Sequence, residues 1–277
     1  MRDIYTSSDT RLSYLDQGTG LPVVFLHPTP LDHFYWLPFV SELTGIRAIM
    51  PDLRGHGASE LGTDLLAGGF TRVPDAPMFT MAQLAADTLA LLDTLGIEKA
   101  IFAGCSIGGY ILLELWRRAP QRIQGLAFIC SKAQADAEAN LERRAAMIAQ
   151  ARAGQTEALF DGMAQTLIGK TARTRRPAIV SELRARMTLT SEALVATQAG
   201  LATRPDSLST VAGINAPVLA IAGGEDLAIT VDEMQAFESA PGGCAFHVLA
   251  DAGHFAAYEQ PYSIVRIFAG WLHTFAR

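Results

Sequence analysis

The chain has little of what marks a disulfide scaffold, a nucleic-acid binder or a membrane protein. Its three cysteines, Cys105, Cys130 and Cys244, are too few and too scattered for a disulfide framework or a metal knuckle. Buried free thiols in a reducing compartment are expected. Basic charge is not in excess: 22 Lys and Arg against 28 Asp and Glu leave a net charge of −6, so no nucleic-acid partner is expected. No unbroken apolar run reaches the roughly 18 residues of a membrane span, and no membrane association is expected. Residues 1–10 hold no apolar stretch of a secretory leader, which points to a soluble, cytoplasmic protein. Internal repeats and low-complexity tracts are absent. So are zinc, flavin, P-loop and dinucleotide motifs, so neither metal nor cofactor is expected. With 49% hydrophobic and 18% charged residues, disorder is excluded. The 277 residues suffice for one large α/β domain or two small ones.

What is present alternates. Residues 11–17 read as a strand closed by Gly18 and Gly20. Short continuous apolar runs, the pattern of strands buried on both faces, occur at Pro22 to Leu26, Ile46 to Met50, Ala100 to Ala103, Gly125 to Cys130, Val218 to Ala222 and Phe246 to Ala250. Thr80 can cap a helix running through Leu84, Leu91 and Leu95 to a stop at Gly96, and Ile107 to Ala119 is a second helix closed by Pro120. Such alternation predicts a mostly parallel sheet with helices on both faces. Leu61 to Phe79 should be an irregular loop. Residues 133–204 contain helix formers only, split at Gly154, Gly169 and Pro177. They read as a helical cap inserted into a core made of residues 1–132 and 205–277. The arginines of that stretch (Arg143, Arg144, Arg152, Arg173, Arg175, Arg176, Arg184 and Arg186) are expected on its solvated face, an anion site being the less favoured reading.

The strongest local signal is Gly104-Cys105-Ser106-Ile107-Gly108, a G-x-S-x-G turn between an apolar strand and a helix. A turn that tight lifts the serine hydroxyl over the carboxyl edge of the sheet at a helix N-terminus, where developing negative charge is favoured. A serine needs an imidazole base held by a carboxylate. Among six histidines, His254 stands out, in a loop after the last strand. His247 within that strand and His273 in the final helix read as structural. Asp226, directly after Val218 to Ala222, is the preferred carboxylate; Glu225 beside it and Asp251 are rivals.

The order Ser, Asp, His, together with His27-Pro28-Thr29-Pro30 after the third strand and Asp52 to Ser59 after the fourth, resembles the α/β-hydrolase fold superfamily over nearly the whole chain, and within it the small bacterial serine esterases and lactonases. The resemblance implies an eight-stranded, mostly parallel sheet with a helical cap. It also implies Ser106 as nucleophile, His254 as general base and then acid, and Asp226 fixing the imidazole tautomer. The backbone N–H groups of Thr29 and Ile107 would form the oxyanion hole. Pro28 departs from the glycine usual there, but position 28 is not a donor. His27 and His56 read as struts. Trp36, Phe34, Ile107, Leu227 and Phe255 are expected to line an apolar pocket. Serine as nucleophile excludes the haloalkane dehalogenase and epoxide hydrolase relatives, which use aspartate.

The implied reaction is hydrolysis of a small or medium hydrophobic carboxylic ester through an acyl-enzyme, by a monomer or homodimer. A lactonase, enol-lactone or acyl-homoserine-lactone type, is the second expectation; a C–C hydrolase or a cofactor-free haloperoxidase or perhydrolase follows. A ligand sensor that keeps its triad is the reading of another class.

Overall fold

Apolar segments that cover both of their faces become the inner strands of one sheet. The computed structural model describes residues 1–275. Strands β1 (Arg2–Tyr5), β2 (Arg11–Gly18), β3 (Leu21–Leu26), β4 (Ile46–Pro51), β5 (Ala100–Cys105), β6 (Ile123–Ile129), β7 (Val218–Gly223) and β8 (Cys244–Leu249) lie in the order β1-β2-β4-β3-β5-β6-β7-β8. β2 is antiparallel to both its neighbours, and all pairings from β4 to β8 are parallel. Helices α1 (Leu37–Val40), α2 (Met81–Thr94) and α3 (Ile107–Arg118) precede β6. Between β6 and β7 lie α4 (Glu138–Arg152), α5 (Thr156–Leu167), α6 (Lys170–Arg175), α7 (Ala178–Arg184), α8 (Ser191–Ala202) and α9 (Leu208–Val211). α10 (Val231–Met234), α11 (Ala256–Glu259) and α12 (Pro261–Leu272) follow β7. Among the described residues no helix is long and apolar enough to cross a membrane.

Successive strand residues point to opposite faces, so each strand feeds two cores. Val23, Phe25, Ile101, Ala103 and Ile129 pack on one side with Phe39 of α1 and Phe268 of α12. Val24, Leu26, Phe102, Leu126 and Phe128 pack on the other with Leu84 and Leu91 of α2 and Ile111 and Leu115 of α3. α2 starts where Thr80 and Gln83 form a reciprocal capping box, and Gly96, at φ 64°, follows its end. The expected helix breaks recur: Gly154 at φ 75° follows α4, while Gly169 and Pro177 flank the starts of α6 and α7. Residues 61–79 form no helix or strand beyond a single Leu66–Met78 bridge.

At the sheet edges two expectations fail and one strand is added. β1 lies outside the apolar runs, because only Ile4 of its four residues is buried and no alternation is visible. β8 has the composition of an inner strand yet forms the far edge, with alternating, partly exposed residues. Cys244 is therefore half-buried rather than buried, and His247 is exposed; Cys105 and Cys130 are buried. His273 falls just past α12, in a short 3₁₀ turn.

The carboxyl ends of β3, β4, β5, β7 and β8 share one edge of the sheet. Thr29, Asp52, Ser106, Asp226 and His254 all sit in the loops that leave it.

Candidate active site

Ser106 joins β5 to α3 at φ 53° and ψ −115°, a conformation costly for any residue with a Cβ. The surrounding backbone leaves no slack. A Cβ on Gly104 would lie 2.4 Å from the Gly108 carbonyl carbon, and one on Gly108 would lie 2.2 Å from the Leu26 oxygen. Both glycines are thus required where β3, β5 and α3 meet. The Ser106 N–H donates to Ile129 O (3.1 Å), and its carbonyl accepts from Gly109 N (2.9 Å). The backbone is tied down while the side chain opens on a cleft of about 160 Å³ shared with His254.

His254 Nδ1 lies 2.8 Å from Asp226 Oδ2. Asp226 Oδ1 accepts from the Ala228 and Ile229 N–H groups at 2.8 and 3.1 Å, which fixes the carboxylate and makes Nδ1 the protonated ring nitrogen. Nε2 is left unprotonated, with its lone pair free to accept. Burial disfavours the charged imidazolium, but the charge and hydrogen bond of Asp226 outweigh it and hold His254 above its ordinary value. No hydrogen bond joins Ser106 Oγ to His254 among the described residues. Serine–imidazole bonds are often long in unliganded sites and tighten with substrate. The rivals go elsewhere: Glu225 accepts from Thr171 N (2.7 Å) and Thr171 Oγ1 (2.6 Å), and Asp251 pairs with Arg175.

Among the described residues neither the Thr29 N–H nor the Ile107 N–H has a hydrogen-bond partner, so two donors are unspent beside Ser106. Pro28 accepts from Leu31 N (3.0 Å) and closes the loop without using its missing N–H. The buried histidines beneath are struts. His56 donates from Nδ1 to Arg54 O (2.8 Å), so its Nε2 accepts from Thr29 Oγ1 (3.0 Å). His27 donates from Nδ1 to Pro28 O and accepts from Leu53 N (2.9 Å) at Nε2. Burial keeps both rings neutral, lowering His56 to about 3. Asp52 ties the same two loops, accepting from His33 N (2.8 Å) and Ala58 N (2.9 Å).

The expected apolar pocket is not the one that forms. Trp36 is fully buried, packed at tilted and edge-on angles among Phe25, Tyr35 and Phe39, and Phe255 is sealed against Tyr35. Leu227 is 77% exposed, and Phe34 lies beneath the Arg186 guanidinium (3.5 Å). The Ile107 side chain is in the core. The cleft is walled instead by the helices between β6 and β7, by Tyr110, and by Ala228 and Ile229. Met147, Met163 and Leu201 supply its apolar part, and Lys132, Asp136, Asn140, Arg143, Arg144 and Gln198 its polar part. Arg144 therefore departs from the expected solvated face, whereas Arg143 lines the cleft and is exposed as expected. Nothing in the local pattern of α4 shows which side will lie over the sheet edge.

Nothing in the sequence singles out Glu259. Its Oε2 accepts from Gly253 N (2.8 Å) and Gly169 N (3.0 Å), and its Oε1 from Phe255 N (3.0 Å). It brackets His254 on both sides and clasps that loop to the end of α5, where Leu167 O accepts the His254 N–H (2.8 Å). Burial raises its carboxyl and the three N–H groups act against that rise. Gly169 is 90 residues away in the chain, so no spacing could reveal the contact. Glu259→Gln keeps one acceptor oxygen and turns an NH₂ toward the other N–H groups. The expected result is a loss of about 1.5–3 kcal/mol in urea unfolding, with turnover falling more than substrate affinity.

A family model described as alpha/beta hydrolase fold matches residues 22–261. The chain belongs to that family of enzymes. It is 27% identical over 266 residues to a 3-oxoadipate enol-lactonase from Acinetobacter baylyi, a match covering 91% of this chain and 88% of that protein. Among solved structures, a thermophilic esterase from Thermogutta terrifontis has a TM-score of 0.88 at 28% identity, over 99% of this chain and 98% of that one. The enol-lactonase from Burkholderia xenovorans has a TM-score of 0.86 at 25% identity, over 98% and 100%.

Proposed function

We propose that this enzyme hydrolyses a small carboxylic ester through an acyl-enzyme on Ser106. The observation that carries the reading is the strained Ser106 turn opening on the same cleft as His254, whose Nδ1 is engaged by Asp226 at 2.8 Å. Ser106 Oγ attacks the carbonyl carbon as its proton passes to His254 Nε2. The carbonyl oxygen becomes an oxyanion held by the Thr29 and Ile107 N–H groups. When the tetrahedral carbon collapses, the alcohol leaves with the proton from His254. A water, deprotonated by the same nitrogen, then releases the acid and restores the serine.

A lactone is the second reading, supported by the enol-lactonases among the relatives. The steps are the same, with the leaving alcohol still tethered to the acyl group. Sustained turnover of short-chain p-nitrophenyl esters is the expected result. A single stoichiometric burst followed by silence would instead fit a ligand sensor, and linear esters set against lactones of equal size would rank the two substrates.

A further inference from the structure

The cleft is more cationic than an uncharged ester requires. Four cations, Lys132, Arg143, Arg144 and Arg204, line it or stand directly behind its wall, against two carboxylates, Asp136 and Glu233. Asp226, the other carboxylate nearby, is spent on His254 and two backbone N–H groups.

The placement of these groups is organised. Asp136, its side chain only 2% exposed, uses one oxygen on Arg144 Nε (2.5 Å) and the other on Arg204 Nη2 (2.7 Å). Gln198 Oε1 accepts from Arg144 Nη1 (2.8 Å). The guanidinium is thereby held in place with its Nη2 end uncommitted among the described residues. Asn140, Arg143, Arg144 and Met147 recur at helical spacing and present one face of α4 to the cleft. Arg143 makes no ion pair or hydrogen bond among the described residues.

We propose that the substrate carries a carboxylate remote from the scissile bond, received by Arg143 and the free end of Arg144. This rests on the ester-hydrolase reading above. Guanidinium groups bind carboxylates with paired, directional N–H donors. An anchor of that kind fixes how the ester lies against Ser106 and supplies orientation as well as affinity. Met147, Met163 and Leu201 leave room for a short apolar spacer between the two ends.

The test compares mono-p-nitrophenyl adipate with its methyl ester, two substrates that differ in one charge, after subtraction of spontaneous hydrolysis. The expected kcat/KM favours the acid by about tenfold or more, chiefly through KM, and the preference shrinks as salt is raised. Arg143→Gln, at an exposed position with no protein partner, should fold normally and bring the ratio of acid to methyl ester toward one; Arg143→Glu should invert it. Equal or better turnover of the methyl ester by the unaltered enzyme overturns the carboxylate proposal and leaves ester hydrolysis standing. A ratio unmoved by both substitutions also overturns it. Turnover of neither substrate removes the ester-hydrolase reading, and this inference with it.

Discussion

Ser106→Ala is expected to lower ester turnover by about 10⁶-fold, because nucleophile and base act as a unit and either loss removes the covalent route. Covalent labelling by an organophosphonate, stoichiometric in the unaltered enzyme, should vanish in the same variant. The protein should remain folded. Ser106 is held through its backbone, by Ile129 O and Gly109 N, and its hydroxyl makes no hydrogen bond among the described residues. Alanine occupies the same φ of 53° with the same Cβ, so stability should change by no more than about 0.5 kcal/mol. Equal labelling of Ser106→Ala would move the nucleophile elsewhere. Residual activity near 10³-fold over water is still expected, because the Thr29 and Ile107 donors and the cleft remain.

Asp226→Asn is expected to cost about 10⁴ in kcat with the fold intact. Its Oδ1 can still accept from Ala228 and Ile229, so the amide NH₂ would face His254 Nδ1. That nitrogen must then accept, the ring proton moves to Nε2, and the base opposite Ser106 is lost. The pH profile adds an independent sign. His254 must be neutral to take the serine proton, so kcat/KM rises with pH through its pKa. Despite burial, Asp226 holds that pKa above the ordinary value of 6.5, and the acid limb of the unaltered enzyme should lie above it. Without the carboxylate, burial dominates and the limb should move down. Glu225→Gln serves as control: its carboxylate binds Thr171, so rate and limb should stay in place. A loss at Glu225 with none at Asp226 would reverse the assignment.

The two helix caps, the strand–turn–helix at Ser106 and the breaks at Gly154, Gly169 and Pro177 were legible because each is a local steric fact. A glycine at φ 64° or 75°, or one whose Cβ would strike a carbonyl, leaves its mark on the residue type itself. The edges of the sheet were less legible. β8 and an inner strand such as β7 have similar composition, and only neighbours decide which is covered. The pocket lining is illegible in the sequence for the same reason. Trp36 and Phe255 are apolar whether they face a substrate or the core, and here the aromatic cluster around Phe25 and Tyr35 absorbs them.

The amino-acid order by itself determined the alternating strands and helices and the kinked serine turn, since these depend on periodicity and on sterics within a few residues. Asp226 and Glu225 are neighbours in one loop, and only the fold brings Asp226 to His254 and Glu225 to Thr171. Tertiary structure alone decided the character of the cleft and the clasp on His254. Lys132, Asp136, Arg144 and Gln198 come together only when α4 and α8 pack side by side over the sheet edge. Glu259 reaches Gly169 only across that same closure. Burial, charge balance and long-range hydrogen bonds belong to surfaces made by packing, and no window along the chain contains both sides of such a surface.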